Sequence, residues 1–166
     1  DTLHTLVRSI VGQQISVKAA DAIWYRLEEA CENNISEESL LKLKKEELRN
    51  IGLSNTKSDY ILNVVNANIT KVEWKKLEDE EIKEKLCEIK GIGPWTAEMF
   101  LIFRLGRPNV LPLGDIGLIN AIKLNYNNNE KLSKEELIKF KSKWNPWCSI
   151  ATWYMWRSLD PIPVEY

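Results

Sequence analysis

Leu86-Cys87-Glu88-Ile89-Lys90-Gly91-Ile92-Gly93-Pro94-Trp95-Thr96-Ala97-Glu98 is the stretch whose reading decides the fold. Its ends carry helical spacing and its middle does not. A Gly-apolar-Gly turn is followed by Pro94, a residue that suits a first helical turn because its missing N–H has no partner to lose there. The segment therefore reads helix, tight hairpin, helix over about 79–105. Glycines flanking Ile92 let the backbone turn sharply, so that amide N–H groups point outward at the start of the second helix, where an anion is favoured. Gly91, Ile92, Gly93, Trp95 and Thr96 are thus candidate phosphate-binding residues, with the Thr96 hydroxyl as an added donor. Lys57, Lys90 and Arg104 could supply local positive charge, though solvated surface is the better reading of each.

Downstream of the hairpin, Gly106-Arg107-Pro108-Asn109-Val110-Leu111-Pro112-Leu113-Gly114 interrupts the helical pattern with two prolines and two glycines. This is the clearest internal boundary, and it divides the chain into lobes of 1–112 and 113–166. The next residue, Asp115, sits at the mouth of a helix. Position alone allows two readings: an N-cap for the helix of Ile116 to Asn125, or a carboxylate held in a cleft between lobes, where sites form.

Working outward, Leu3, Leu6, Val7, Ile10 and Val11 recur at helical spacing as far as Gly12, and Ser16 caps a second helix carrying Ala19, Ala20, Ile23, Trp24 and Leu27. Further helices are predicted at about 36–49, 54–68, 79–89, 94–105, 115–125, 133–144 and 147–159. No segment alternates as a strand, so the fold class is all-α. Residues Leu48 to Lys57 echo the Gly91 hairpin through Gly52; an ordinary C-cap glycine followed by a serine N-cap explains them equally well.

Composition narrows the function. At 166 residues with 44% hydrophobic content the chain is long enough to fold, and a net charge of −1 excludes a protein that coats a polyanion by bulk charge. Cys31, Cys87 and Cys148 lie far apart with no paired spacing, which supports neither a zinc site nor an iron–sulfur cluster. His4 is the only histidine and receives no catalytic role. Glu78-Asp79-Glu80-Glu81 followed by Lys83 and Lys85 reads as a solvated helix start. No apolar run approaches the roughly 18 residues of a membrane span, and the expectation is a soluble intracellular protein, cytoplasmic or nucleoid-associated.

Taken with Val11-Gly12-Gln13-Gln14-Ile15-Ser16 and Asn145-Pro146-Trp147-Cys148-Ser149, the hairpin and Asp115 resemble the helix-hairpin-helix (HhH-GPD) DNA glycosylase superfamily, closest to its 3-methyladenine DNA glycosylase II branch. The likeness runs over nearly the whole chain and implies a two-lobed helical fold with the active site between lobes. Relatives carry at least one further helix before the residue matching Asp1, so an amino-terminal helix or domain is expected to precede it.

The resemblance implies a set of roles. Asp115 matches the catalytic aspartate, whose carboxylate stabilises positive charge on the sugar as the N-glycosidic bond breaks. Trp95 stands where strand-nicking relatives place a lysine nucleophile, which implies a monofunctional enzyme that leaves an abasic site. Trp95 and Trp156 would line the pocket for a flipped cationic base, held by stacking and cation–π attraction. Met99 takes a place that is aromatic in some relatives. Trp24, Trp144, Trp147 and Trp153 sit among apolar neighbours and read as core. Gln14 would fill the gap left by the extruded base, or else serves as a polar loop residue; Gln13 receives no DNA role. Cys148 replaces an arginine common in relatives. No organic cofactor is implied, though relatives bind a sodium or potassium ion at hairpin carbonyls. The expected partner is double-stranded DNA with damaged bases, bound by a monomer. Competing readings are a glycosylase for a neutral lesion (oxidised, deaminated or mismatched) and a non-catalytic hairpin module.

Overall fold

The computed structural model describes residues 1–159, which form helices and turns with no strand among them. The chain divides into two compact units, Asp1–Phe100 and a second beginning at Leu101.

In the first unit, α1 (Thr2–Gly12) starts on an N-cap from Asp1, whose carboxylate accepts from the Leu3 N–H at 2.9 Å. Its apolar face, Leu3, Leu6, Val7, Ile10 and Val11, is buried. That face packs on α2 (Val17–Ala30), α5 (Asn55–Asn66) and α7 (Pro94–Met99), making α1 the spine of the unit. Ser16 and Ser54 cap α2 and α5 through their hydroxyls. Between them, the helix predicted over 36–49 is two short ones, α3 (Glu37–Lys42) and α4 (Lys45–Asn50). The break has a local cause: Leu43 and Lys44 are extended, and the Glu47 carboxylate reaches back to accept from the Lys44 N–H at 2.7 Å, restarting the helix. Helix α6 (Asp79–Cys87) carries Asp79, Glu80 and Glu81 in its first turn and Lys85 in its last, as its charge run suggested. It packs on α7 to complete the hairpin. The pattern predicted as one helix over 94–105 widens after Met99 and continues as a π turn over Phe100–Arg104.

The division between units falls within that π turn, earlier than the 112/113 boundary read from the sequence. The Gly/Pro-rich loop is tied to the rest of the second unit by Asn109, whose Nδ2 donates to Asn145 Oδ1 at 2.8 Å, and above all by Ser149. Ser149 Oγ donates to the Arg107 carbonyl at 2.6 Å and accepts from the Val110 N–H at 3.0 Å, while its own N–H donates to the Pro108 carbonyl at 2.9 Å. Ser149 belongs to α10 (Cys148–Leu159), which packs on α8 (Ile116–Tyr126) and α9 (Lys134–Trp144) around Leu118, Ile122, Leu137 and Phe140.

Trp24 is core, as read from its neighbours, and Trp144 packs partly buried on the second core. Trp147, just before α10, and Trp153, on it, are not core: they are 57% and 43% exposed, and the buried face of α10 is supplied instead by Cys148, Ser149 and Thr152. Apolar neighbours in the sequence misled there, because α10 is apolar on more than one face.

Candidate active site

The hairpin is built on one glycine. Gly91 has φ +111, and a Cβ added there would lie 2.2 Å from Tyr60 Cγ, so only glycine fits against that ring. Gly93 differs: it is extended, with nothing within 4 Å of an added Cβ, and serves as the N-cap of α7 ahead of Pro94. The intervening Ile92 is a buried plug. Its N–H donates to the Ile89 carbonyl at 2.9 Å, closing the turn, and this removes Ile92 from the expected phosphate donors. Thr96 is likewise turned inward, 2% exposed, with its hydroxyl accepting from Gln13 Nε2 at 3.2 Å; its side chain is a tie within the fold rather than a phosphate ligand. Of the expected phosphate ligands this leaves the start of α7, where the N–H groups of a first helical turn lie beyond reach of the helix's own carbonyls.

Two side-chain amides hold the hairpin carbonyls: Asn63 Nδ2 donates to Lys90 O and Gln13 Nε2 to Gly91 O, both at 3.0 Å. Gln13, Gln14, Ser54, Thr56, Lys57 and Tyr60 line an open groove of about 550 Å³ with the Gly91–Gly93 turn. Lys57 Nζ donates to the Val11 carbonyl at 2.7 Å, and partial burial pulls its pKa below the ordinary lysine value. Lys90 stays exposed, and Gln14 projects into solvent from a left-handed backbone with φ +58. Trp95 is half-buried, whereas Met99 is wholly buried beside Phe100 and presents no surface to a base.

In the second unit Asp115 is an N-cap, the first of the two readings that its position allowed. Its Oδ1 caps α8, accepting from the Leu118 N–H at 2.5 Å, and also accepts from Trp156 Nε1 at 2.8 Å. Phe103 stacks on Trp156, centroids 5.9 Å apart and planes within 14°, fixing the indole. Gly117 completes the arrangement: an added Cβ would stand 3.1 Å from Asp115 Oδ1 and 3.5 Å from Trp156 Cδ1. The carboxylate is therefore half-buried, oriented by two donors and packed without spare room. Sequence reading put Trp156 near a base but missed its bond to Asp115, and missed Phe103, Gly117, Tyr60 and Asn63 altogether. A glycine in the first turn of a helix was the one available signal.

The sequence that holds the Gly91-built hairpin and the capping Asp115 matches a family model. HhH-GPD superfamily base excision DNA repair protein is its description, and it covers residues 7–146. The chain belongs to this superfamily. A Bacillus subtilis DNA-3-methyladenine glycosylase is 30% identical over 96% of this chain and 57% of its own length. A putative DNA-3-methyladenine glycosylase of Bacillus subtilis, YfjP, is 37% identical over 74% of this chain and 44% of its own length, so the chain spans about half the length of these two relatives. The solved 3-methyladenine DNA glycosylase of Schizosaccharomyces pombe, in complex with abasic DNA, superposes with a TM-score of 0.88 at 30% identity, covering 99% of this chain and 83% of that one.

Proposed function

We propose that the chain is a monofunctional DNA glycosylase that excises alkylated purines of the 3-methyladenine type from double-stranded DNA, hydrolysing the N-glycosidic bond to open base excision repair. The observation that carries this reading is the oriented Asp115 carboxylate, which two donors fix on one oxygen. As the bond to the base lengthens, the sugar becomes cationic, and a carboxylate already in place stabilises that charge without reorganising. It also orients the attacking water; the purine leaves with the bonding electrons and the sugar gains a hydroxyl. A base already positive from N3 or N7 alkylation needs little further acid help to depart. Trp95 in the first unit and Trp156 in the second each carry an indole suited to stack on a cationic base.

Trp95 also argues for hydrolysis alone, because the hairpin position that would carry an amine nucleophile holds an indole. The turn's first-helix N–H groups would anchor backbone phosphate and Gln14 would occupy the vacated stack. A sodium or potassium ion fits the donor chemistry of the hairpin: the Ile89, Lys90 and Gly91 carbonyls each accept one bond from the chain and keep a second lone pair. Such an ion would add positive charge beside the phosphate. The enzyme would act as a monomer where the cell keeps its DNA; no helix among the described residues is long and apolar enough to cross a membrane.

The test is single-turnover base release from methylated duplex DNA by the wild type and Asp115→Asn, with strand breaks scored before and after alkali. Removing the charge should slow release about a hundredfold or more, judged from the worth of a preorganised electrostatic contact. Breaks should appear only after alkali. Binding without release by the wild type would point instead to a DNA-binding module, and breaks without alkali would refute the monofunctional assignment.

A further inference from the structure

Gln13 lies between the two parts of the first unit that the glycosylase reading sends to DNA. We propose that it is a positioning residue that locks the Gln14 turn to the Gly91 hairpin, so that phosphate docking and gap filling share one register. The inference rests on that reading of hairpin and wedge.

The geometry is specific. Gln13 Nε2 donates to the Gly91 carbonyl at 3.0 Å and to Thr96 Oγ1 at 3.2 Å. A carbonyl can only accept, so the NH2 end of the amide is the end that faces the hairpin, and its two hydrogens match the two oxygens. Those oxygens sit on either side of Gly93-Pro94-Trp95, so one side chain spans the turn and the first turn of α7. Backbone bonds hold the wedge turn only loosely: Gln13 N–H to Ile10 O is 3.3 Å and Ile15 N–H to Gly12 O is 3.5 Å. Side chains hold it instead, Gln13 on one side and Lys57, through Val11 O at 2.7 Å, on the other. Gln14 follows directly, left-handed and exposed, so its direction is set by where Gln13 is pinned.

The test is a double-mutant cycle on the affinity of the whole chain for duplex DNA containing an abasic site. Gln13→Met keeps the length and removes both donors; Gln14→Ala removes the wedge. Each is expected to weaken binding about tenfold, with the double variant no weaker than the weaker single one, because coupled residues do not add. Losses that multiply to about a hundredfold would overturn the proposal, since independent sites add in free energy. Gln13→Glu supplies a second reading if Gln13→Met does not fold. At neutral pH its carboxylate can accept from the Thr96 hydroxyl but faces the Gly91 carbonyl, which can only accept, and once protonated it donates one bond to that carbonyl. Its affinity deficit relative to the wild type should therefore shrink between pH 7.5 and pH 5.5, roughly the span over which a carboxyl raised by such neighbours protonates. A deficit that does not change with pH would overturn it. Wild-type base release is measured alongside: binding without release would sink the catalytic reading and leave the cycle interpretable.

Discussion

Replacing Gly91 with alanine should cost the fold far more than the same change at Gly93, although the two glycines stand symmetrically about Ile92. The added Cβ at Gly91 falls 2.2, 2.5 and 2.6 Å from Tyr60 Cγ, Cβ and Cδ1, and the backbone there has φ +111. Two costs follow. A non-glycine residue held in a sparsely populated region costs about 1–3 kcal/mol, and overpacking against a ring about as much again. Their sum, near 4 kcal/mol, is a large part of the roughly 5–15 kcal/mol that holds a domain together. Removing the ring tests its share: in a Tyr60→Ala background the contacts at 2.2 and 2.6 Å vanish while the Cβ contact at 2.5 Å and the conformational cost stay, so Gly91→Ala should cost less there than in the wild type. Gly93→Ala, extended and uncrowded, should lie within about 0.5 kcal/mol of the wild type. Urea unfolding of the four hairpin variants reads all of this from the midpoints, provided the slope is unchanged. Equal costs at Gly91 and Gly93, or a Gly91 cost that ignores Tyr60, would refute the role given to the ring.

Trp156→Phe keeps a ring beside Phe103 and deletes the donor to Asp115; discounting a charged hydrogen bond for partial exposure leaves about 1 kcal/mol, so single-turnover release should slow about fivefold. An unchanged rate would mean that the indole does not position the carboxylate. Trp24→Ala should cost about 3–4 kcal/mol as a large-to-small core change, whereas Trp153→Ala, on an exposed face, should stay under about 1 kcal/mol; reversed denaturation midpoints would restore Trp153 to the core. Burial, with the amino-terminal charge second, lowers the His4 pKa below its ordinary 6.5, and its ring meets Trp24 edge-on at 4.7 Å. Just below pH 6.5 the unfolded chain holds a proton there that the fold does not, so stability is lost as pH falls through that window and is complete above it. His4→Gln should flatten the melting-temperature profile between about pH 5 and 7, and a profile identical to the wild type's would refute the assignment.

Local chemistry was the legible part of this chain. Capping serines, the acidic start of α6, Pro94 and the Gly91 turn announce themselves within a few residues, and they delimit the helices correctly at Ser16, Ser54 and Glu78. Where a signal was half present the reading failed: Lys44 lacks a capping side chain, so the restart that Glu47 makes possible was read through as continuous helix. Partners distant in the chain left no trace at all. Tyr60 lies thirty-one positions before Gly91, and Trp156 forty-one after Asp115, so neither the crowding at the hairpin nor the bond at the carboxylate could be foreseen from spacing. Ser149 draws the Gly/Pro loop into the second unit for the same reason, which moved the boundary away from the prolines that marked it.

The buttressing of the hairpin answers the question raised by the charge. A chain of net charge −1 has no bulk attraction for a polyanion, so phosphate binding would have to come from a few dipoles of fixed direction. Dipoles differ from lysines in this respect: an ammonium on a flexible stem finds a phosphate from many positions, whereas an N–H works only along its own axis. Holding the turn rigid is then part of binding. Tyr60 under Gly91, Asn63 on the Lys90 carbonyl and Gln13 on the Gly91 carbonyl provide that rigidity from two different parts of the first unit. Asp115 follows the same logic in the second unit, its orientation set by the Leu118 N–H and the Trp156 indole. Both halves of the proposed chemistry thus rely on direction more than on quantity of charge, and the side chains that fix direction, Gln13, Asn63, Tyr60 and Trp156, are where conservative substitutions should be felt.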